Sequence, residues 1–168
     1  MGMSEYVARL RAKVGNDLIL LPGVTGVVLR GNPQSREVLM VRRLENGVWT
    51  LVSGAIEPGE QAHEAMVREI QEETTLEARV TRLLWIQTLP KSTYPNGDQV
   101  QYYDTAFVCE AVAGEAKIGD DESSEVAWFP VGAIPELDER YRKTLAHALE
   151  ANHEVYLGSN CLRPDELT

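Results

Sequence analysis

Residues 54–76, GAIEPGEQAHEAMVREIQEETTL, are the most informative segment of the chain. The middle of this segment has helical composition, and Glu69, Glu72 and Glu73 stand there at positions i, i+3 and i+4. On a helix these side chains project from one face, within reach of a common point. Like charges at this spacing destabilise a helix by roughly 0.2–0.5 kcal/mol per pair, and the helix dipole disfavours them near the C-terminal end. Only Arg68 offsets the cluster within the segment, so the arrangement is unfavourable unless a cation neutralises it.

The carboxylate cluster has two interpretations. Three oxygen donors suit a hard ion such as Mg2+ or Mn2+, which keeps some water ligands and bridges to substrate phosphates. The other interpretation is a glutamate-rich surface helix, because glutamate is a common helix residue. An apolar row that includes Ala62, Ala65 and Met66 leads to the glutamates, which places them at the rim of a core. The triplet by itself leaves both interpretations open.

The complete segment resembles the Nudix box. That family pattern is Gly, five residues, Glu, seven residues, Arg-Glu, an aliphatic residue, any residue, Glu-Glu, any residue, Gly and an aliphatic residue. The matching positions are held by Gly54, Glu60, Arg68, Glu69, Ile70, Glu72, Glu73 and Leu76. Thr75 stands where the family has its second glycine, and a threonine is strained there if the backbone must be left-handed. The chain is therefore similar to the Nudix hydrolases in this segment, with one departure.

The resemblance implies both a fold and a metal site. The fold would be an α/β fold, the Nudix-type α/β/α sandwich, in which a mixed β-sheet lies between helices. Arg68 would orient the glutamates by charge-assisted hydrogen bonds, and Glu60 would support them. The cofactor would be Mg2+, with Mn2+ as the alternative. The ligands that the resemblance implies are the backbone carbonyl of Ser53 and the carboxylates of Glu69, Glu72 and Glu73.

A carboxylate must also accept or steer the proton of the attacking water. In the family this role falls to a glutamate of the box or to one from a loop outside it. The acidic loop of residues 119–125 lies in the corresponding region, and Glu122 is the first candidate there, followed by Asp121 and Glu125. A solvated turn is the other interpretation of this loop.

Substrate-binding candidates lie on both sides of the box. Arg42 and Arg43 leave a predicted strand just before it, and one of the two should point outward. That arginine could reach a phosphate, although a structural ion pair is an equal alternative. Tyr94 could stack on a base, because an aromatic face contributes roughly 1–3 kcal/mol to a stacked ring in nucleic-acid-binding proteins. Other aromatic residues with this potential, each also readable as a core residue, are Trp49, Trp85, Tyr102 and Tyr103.

The flanking elements favour a mixed sheet. Ser4 is expected to cap a first helix that ends at Gly15, and the central helix is expected from about Gln61 to Glu73. Hairpin-like connections combined with a helical crossover favour a sheet covered by helices on both sides, with residues 1–168 as one Nudix-type domain. The strands are predicted at 24–30, 38–44, 48–52, 81–89, 100–112 and 126–129, and a terminal helix at 138–157.

Charge and composition limit the partners. Asp and Glu outnumber Lys and Arg 26 to 16, which gives a formal net charge of -10 and disfavours nucleic acid or an anionic membrane as a partner. A small phosphorylated substrate would need a local positive charge, which a divalent cation would supply. There is no apolar run of roughly 20 residues and no secretory signal, so we expect a cytoplasmic protein. The terminal helix is expected to pack on the domain, with a homodimer surface as its alternative.

These observations together predict an enzyme. The expected reaction is metal-dependent hydrolysis of a diphosphate bond in a nucleoside diphosphate linked to another moiety, with an ADP-ribose-like substrate first. One alternative is a nucleoside-triphosphate pyrophosphohydrolase, including the type that clears oxidised nucleotides. The other is a non-catalytic Nudix-like domain that binds a nucleotide as a sensor, although the retained box glutamates argue against it.

Overall fold

The structure, a computed structural model, describes residues 4–151, 155 and 156. In this part of the chain the order of elements is one helix, four strands, a second helix, four further strands and a third helix. The bounds are α1 Glu5–Val14, β1 Ile19–Arg30, β2 Glu37–Arg43, β3 Trp49–Thr50, β4 Val52–Ala55, α2 Ala62–Thr74, β5 Glu77–Thr88, β6 Ser92–Thr93, β7 Gln99–Ala113, β8 Ser123–Pro130 and α3 Glu139–Leu149.

The strands form a mixed sheet. Its main order is β3-β2-β1-β7-β5, with β4 beside β1, β6 beside β7 and β8 beside β2. β1 and β7 run parallel, in a register that starts with Ile19 opposite Val100 and ends with Leu29 opposite Glu110. The neighbouring pairs, including β1 with β4 and β5 with β7, are antiparallel. The parallel pair needs a long crossover, and α2 lies within that connection.

Two helices cover opposite faces of this sheet. Successive residues of a strand point to opposite faces, so Val24 and Val28 of β1 pack against α2, whereas Val27 and Leu29 pack on the side of α3. Gly26 lets α2 approach closely, since a Cβ there would lie 2.8 Å from the sulfur of Met66. The predicted α/β/α sandwich with a mixed sheet is therefore confirmed.

Several element bounds differ from the sequence-based expectation. β1 begins at Ile19 and passes through Pro22, because its first half pairs with β7. β8 begins at Ser123, inside the predicted acidic loop, because its pairing with β2 continues to Arg43. The terminal helix was predicted too long. It ends at Leu149, and the backbone N–H of Tyr156 instead donates to the carbonyl of Leu84 on β5 at 2.8 Å.

Residues 152–154 and 157 of that predicted helix lie outside the described residues. Within the part of the chain that the structure describes, no helix has the length and apolar character needed to span a membrane.

Candidate active site

The central helix α2 carries two of its glutamates on its buried side. The helix starts after Gln61, whose backbone N–H donates to the carboxylate of Glu64 at 3.0 Å. Glu69 and Glu73 are buried, one turn apart, in the same row as the apolar side chains that anchor the helix to the sheet. Burying a charge is costly unless an opposite charge or a hydrogen bond compensates it. The neighbours of these two carboxylates therefore define the site.

Glu69 lies directly over Gly54 at the end of β4. Only 8% of Glu69 is exposed, and a Cβ built on Gly54 would lie 1.9 Å from the carboxyl carbon of Glu69. Burial raises the pKa of the Glu69 carboxyl, and the charge of Arg68 opposes this increase. Glycine is thus required at position 54 because of space, since the carboxylate occupies the volume that any side chain would fill.

Arg68 connects the carboxylates of the box. Its Nε and Nη2 donate to the two oxygens of Glu60 at 2.7 and 3.0 Å, and its Nη1 donates to Glu69 and Glu72 at 2.9 Å each. Nη2 also donates to the carbonyl of Ala55 at 3.0 Å. The hydrogen bond from Arg68 holds the pKa of Glu60 below its usual value. Such charge-assisted bonds fix both distance and orientation, as expected for an orienting arginine.

Glu73 is the most deeply buried of the three glutamates. It is 3% exposed, and Nη1 of Arg43 forms an ion pair with its Oε1 at 2.9 Å. Burial raises the pKa of Glu73 to about 7, although Arg43 lowers it. The same Nη1 lies 3.9 Å from Oε2 of Glu122. Arg43 therefore brings the predicted proton acceptor beside the box.

Glu72 behaves differently from its two neighbours. Its side chain is 56% exposed and turns toward Arg68, while Glu73 turns inward to Arg43. Among residues 4–151, 155 and 156, no group of three or more His, Cys, Asp or Glu side chains has the geometry to hold a metal ion. Arg68 holds Glu69 and Glu72, whereas Arg43 holds Glu73, and the metal ligands stay a prediction.

The chemistry of the buried donors fits a hard divalent cation. Oε2 of Glu73 is buried and has no hydrogen-bond partner among the described residues. Glu69 adds a second desolvated carboxylate, and hard oxygen donors of this kind suit Mg2+ or Mn2+. Ser53 adjoins Gly54 on β4, and its hydroxyl lies 3.3 Å from the hydroxyl of Tyr141. The proposed ligand role of Ser53 concerns its backbone carbonyl.

The remaining substrate-binding candidates take different places. Arg42 is the arginine that points outward. Its Nε donates to the carbonyl of Gly47 at 2.9 Å, and its Nη1 lies 3.5 Å from Glu125, so it makes the structural ion pair that was the alternative. Tyr94 is half exposed, and its hydroxyl lies 3.4 Å from that of Tyr102. Tyr102 in turn packs on Gly23, which pairs with Ala55 at the start of the box.

A buried polar network on the α3 side of the sheet was not predicted from the sequence. Asp104 of β7 accepts hydrogen bonds from the Thr25 hydroxyl at 2.8 Å and from Nε1 of Trp85 at 3.0 Å. Nη2 of Arg140 donates to the same hydroxyl at 2.7 Å and lies 3.5 Å from Asp104. Thr25 is opposite Ser53 in the sheet, so this network lies next to strand β4, on the α3 side. An aspartate inside the apolar strand run was the one available signal.

Thr75 is left-handed, as its place in the box suggested. Its φ is 60° and its ψ is 6°, a region that costs a residue with a Cβ roughly 1–2 kcal/mol. Its hydroxyl donates to the carbonyl of Glu115 at 3.0 Å. Residues 115–119 thereby run beside the C-terminal end of α2.

Comparisons with known proteins agree with this site. Residues 20–148 match the family model described as NUDIX domain. The chain is 33% identical over 117 residues to an ADP-ribose pyrophosphatase of Methanocaldococcus jannaschii, an alignment that covers 68% of this chain and 64% of that protein. It is 32% identical over 118 residues to the NAD-capped RNA hydrolase NudC of Pseudomonas entomophila, covering 69% of this chain and 38% of that protein.

The chain thus spans less than two thirds of the length of either relative. A solved structure of a UDP-X diphosphatase superimposes with a TM-score of 0.66 at 22% identity, covering 92% of this chain and 74% of that chain, which shows a shared fold. The resemblance drawn from the box is confirmed. The match of the family model over most of the chain shows that this protein belongs to the NUDIX domain family.

Proposed function

We propose that this protein hydrolyses a diphosphate bond in a nucleoside diphosphate linked to another moiety, with Mg2+ as cofactor and Mn2+ as its substitute. The observation that carries the proposal is the pair of buried carboxylates, Glu69 and Glu73, on one row of α2. Within the described part of the chain, Oε2 of Glu73 has no hydrogen-bond donor. ADP-ribose is the first substrate to test. The kinship with an ADP-ribose pyrophosphatase supports that choice.

The cation would be held by Glu69, Glu72 and Glu73 and by the backbone carbonyl of Ser53. When bound, it supplies polarisation of the phosphoryl oxygens and lowers the pKa of a coordinated water. Arg68 keeps Glu69 and Glu72 oriented through bonds of 2.9 Å. These five residues therefore act as one unit.

Proton transfer is assigned to Glu122. The guanidinium of Arg43 lies between Glu122 and Glu73, so its charge holds both carboxylates at the same edge of the site. A general base must reach the proton of the attacking water, directly or through one further water. Arg43 thus positions carboxylates and does not primarily bind phosphate.

The substrate would be bound at the rim of the site. Arg42 is exposed, and its Nη1 lies 3.5 Å from Oε2 of Glu125. Solvent-exposed ion pairs of this kind contribute little to stability. Arg42 is therefore free to exchange Glu125 for a phosphate. Tyr94 offers a half-exposed ring for stacking on the base. A homodimer and a cytoplasmic location stay predictions from the sequence.

A product analysis tests the proposal. The protein is incubated with Mg2+ and, separately, with ADP-ribose, other ADP-sugars, dinucleoside polyphosphates and nucleoside triphosphates. AMP and ribose 5-phosphate from ADP-ribose are the expected products. A nucleoside monophosphate and pyrophosphate would assign the triphosphate reaction instead, and tight binding without turnover would assign the sensor role. Either of these outcomes contradicts the proposal.

A further inference from the structure

Thr75 combines backbone strain with a side-chain bond. Among the described residues it is the one non-glycine residue with a positive φ. A residue in such a conformation persists where its surroundings require it, and such strain concentrates at functional sites. A glycine would adopt the same φ without strain. What the threonine adds is its hydroxyl, which donates to the carbonyl of Glu115 at 3.0 Å.

The hydroxyl is one of three ties between the end of α2 and the segment of residues 115–119. The backbone N–H of Lys117 donates to the carbonyl of Thr74 at 3.0 Å, and that of Gly119 donates to the carbonyl of Glu73 at 3.1 Å. These bonds satisfy carbonyls that a helix end leaves without partners. The segment comes so close that a Cβ on Gly119 would lie 2.1 Å from the carbonyl oxygen of Glu72.

The tied segment leads directly to Glu122. The carboxylate of Asp120 accepts from the backbone N–H groups of Glu122 at 3.2 Å and Ser123 at 3.0 Å. On its other side, the carbonyl of Glu122 accepts from the N–H of Leu44 at 2.7 Å. The backbone of Glu122 is thus held between the residue that follows β2 and a segment that is hydrogen-bonded to the end of α2.

We propose that Thr75 is a positioning residue: its hydroxyl fastens residues 115–122 to the end of α2 and so sets the place of Glu122 relative to Glu73. The inference rests on the proposed function, in which Glu122 accepts the proton. It gives a reason for a threonine at a position where the backbone favours glycine.

The test compares kcat and KM for ADP-ribose with Mg2+ in the wild type, Thr75→Gly and Thr75→Ser. Thr75→Gly keeps the left-handed backbone and removes the tie, so kcat is expected to fall roughly tenfold with KM changed less than about twofold, because small displacements of a catalytic group cost rate. Thr75→Ser keeps the hydroxyl and is expected to keep kcat. An unchanged kcat in Thr75→Gly, or an equal loss in Thr75→Ser, overturns the inference.

A double-mutant cycle with Glu122→Gln separates positioning from a general loosening of the fold. If Thr75 acts through Glu122, Thr75→Gly has no further effect on kcat in the Glu122→Gln protein. The same tenfold loss in that background, or a Glu122→Gln protein with the wild-type rate, contradicts the inference. If the wild-type protein hydrolyses no diphosphate substrate, the proposed function is contradicted together with the inference. An active wild type with an unaffected Thr75→Gly variant removes the inference on Thr75 alone.

Discussion

At the scale of single residues, the site depends on charge that has been taken out of water. Glu73 keeps its carboxylate against the core at the end of an apolar row, and its pKa of about 7 reflects the cost of ionising it there. Arg43 reduces that cost without removing it. A bound cation would reduce it further, which is the physical link between burial and metal binding.

This link predicts how stability depends on pH in the metal-free protein. The pKa of Glu73 is raised from 4.5 to about 7, so its protonated form stabilises the fold fully below about 4.5, and this stability is lost as the pH rises through about 7. The free energy of unfolding of Glu73→Gln is compared with that of the wild type in the presence of EDTA. This difference is expected to shift in favour of the variant by about 1–3 kcal/mol when the pH is raised from 5 to 8. Urea unfolding at both pH values measures the difference.

Glu72→Gln is the matched control, since that side chain is mostly exposed. Its free energy of unfolding relative to the wild type should be nearly the same at pH 5 and pH 8. A parallel pH dependence of the Glu72 and Glu73 variants would contradict the burial argument.

The space over Gly54 leads to a second prediction. Gly54→Ala would place a methyl group where the Glu69 carboxylate lies, so Glu69 must move. We expect turnover of ADP-ribose to fall at least about 100-fold, because a misplacement of about 1 Å near the chemistry has effects of that size. Gly132→Ala is the control, since its Cβ would meet no atom within 4 Å. Equal activity of the two variants would show that Glu69 is not confined as described.

At the scale of elements, α3 is fastened to the sheet by the network around Asp104. Arg140, at the start of α3, reaches the hydroxyl of Thr25 on β1, and Trp85 of β5 completes the contacts of the buried carboxylate. The network joins three strands and a helix on the face opposite to α2. It therefore holds the α3 layer in register behind the strand that carries Ser53 and Gly54.

Removing the carboxylate should cost stability. Asp104→Ala removes the negative charge that faces the guanidinium of Arg140 and leaves the indole N–H of Trp85 without its acceptor, so the free energy of unfolding is expected to fall by about 3–5 kcal/mol. Glu110→Ala on the same strand is the control, because its ion pair with Arg79 is exposed and should contribute about 0–1 kcal/mol. Denaturant titration measures the free energy of unfolding of both variants. Similar losses in the two would contradict the stabilising role of Asp104.

Across the whole molecule, the features that could be predicted from the sequence depend on residues close together in the chain, and those that could not depend on residues far apart. The central helix and its glutamates were predictable because the apolar row, the charge cluster and the box spacing all lie within residues 54–76. The left-handed Thr75 followed from the same local pattern. These features depend on residues that are close in sequence, where periodicity and backbone preference act.

The features that escaped the sequence analysis depend on tertiary pairing. The bond from Arg140 to Thr25 joins residues 115 positions apart, and no local pattern indicates it. The early end of α3 at Leu149 was missed for the same reason, because Tyr156 pairs with β5 instead of continuing the helix. Which of Arg42 and Arg43 turns inward was likewise left undecided, since it depends on the partners that β8 and α2 bring to them.

We propose that a divalent cation binds among the buried glutamates of α2. The most direct test is a titration with Mn2+ in the presence of ADP-ribose, in which electron paramagnetic resonance measures the free ion. The wild type is expected to remove Mn2+ from solution, Glu73→Gln to bind it at least about 10–100-fold more weakly, and the exposed Glu45→Gln to bind as the wild type does. Mn2+ that stays free with the wild type, or equal binding by Glu73→Gln, would show that the glutamates of α2 do not hold the cation.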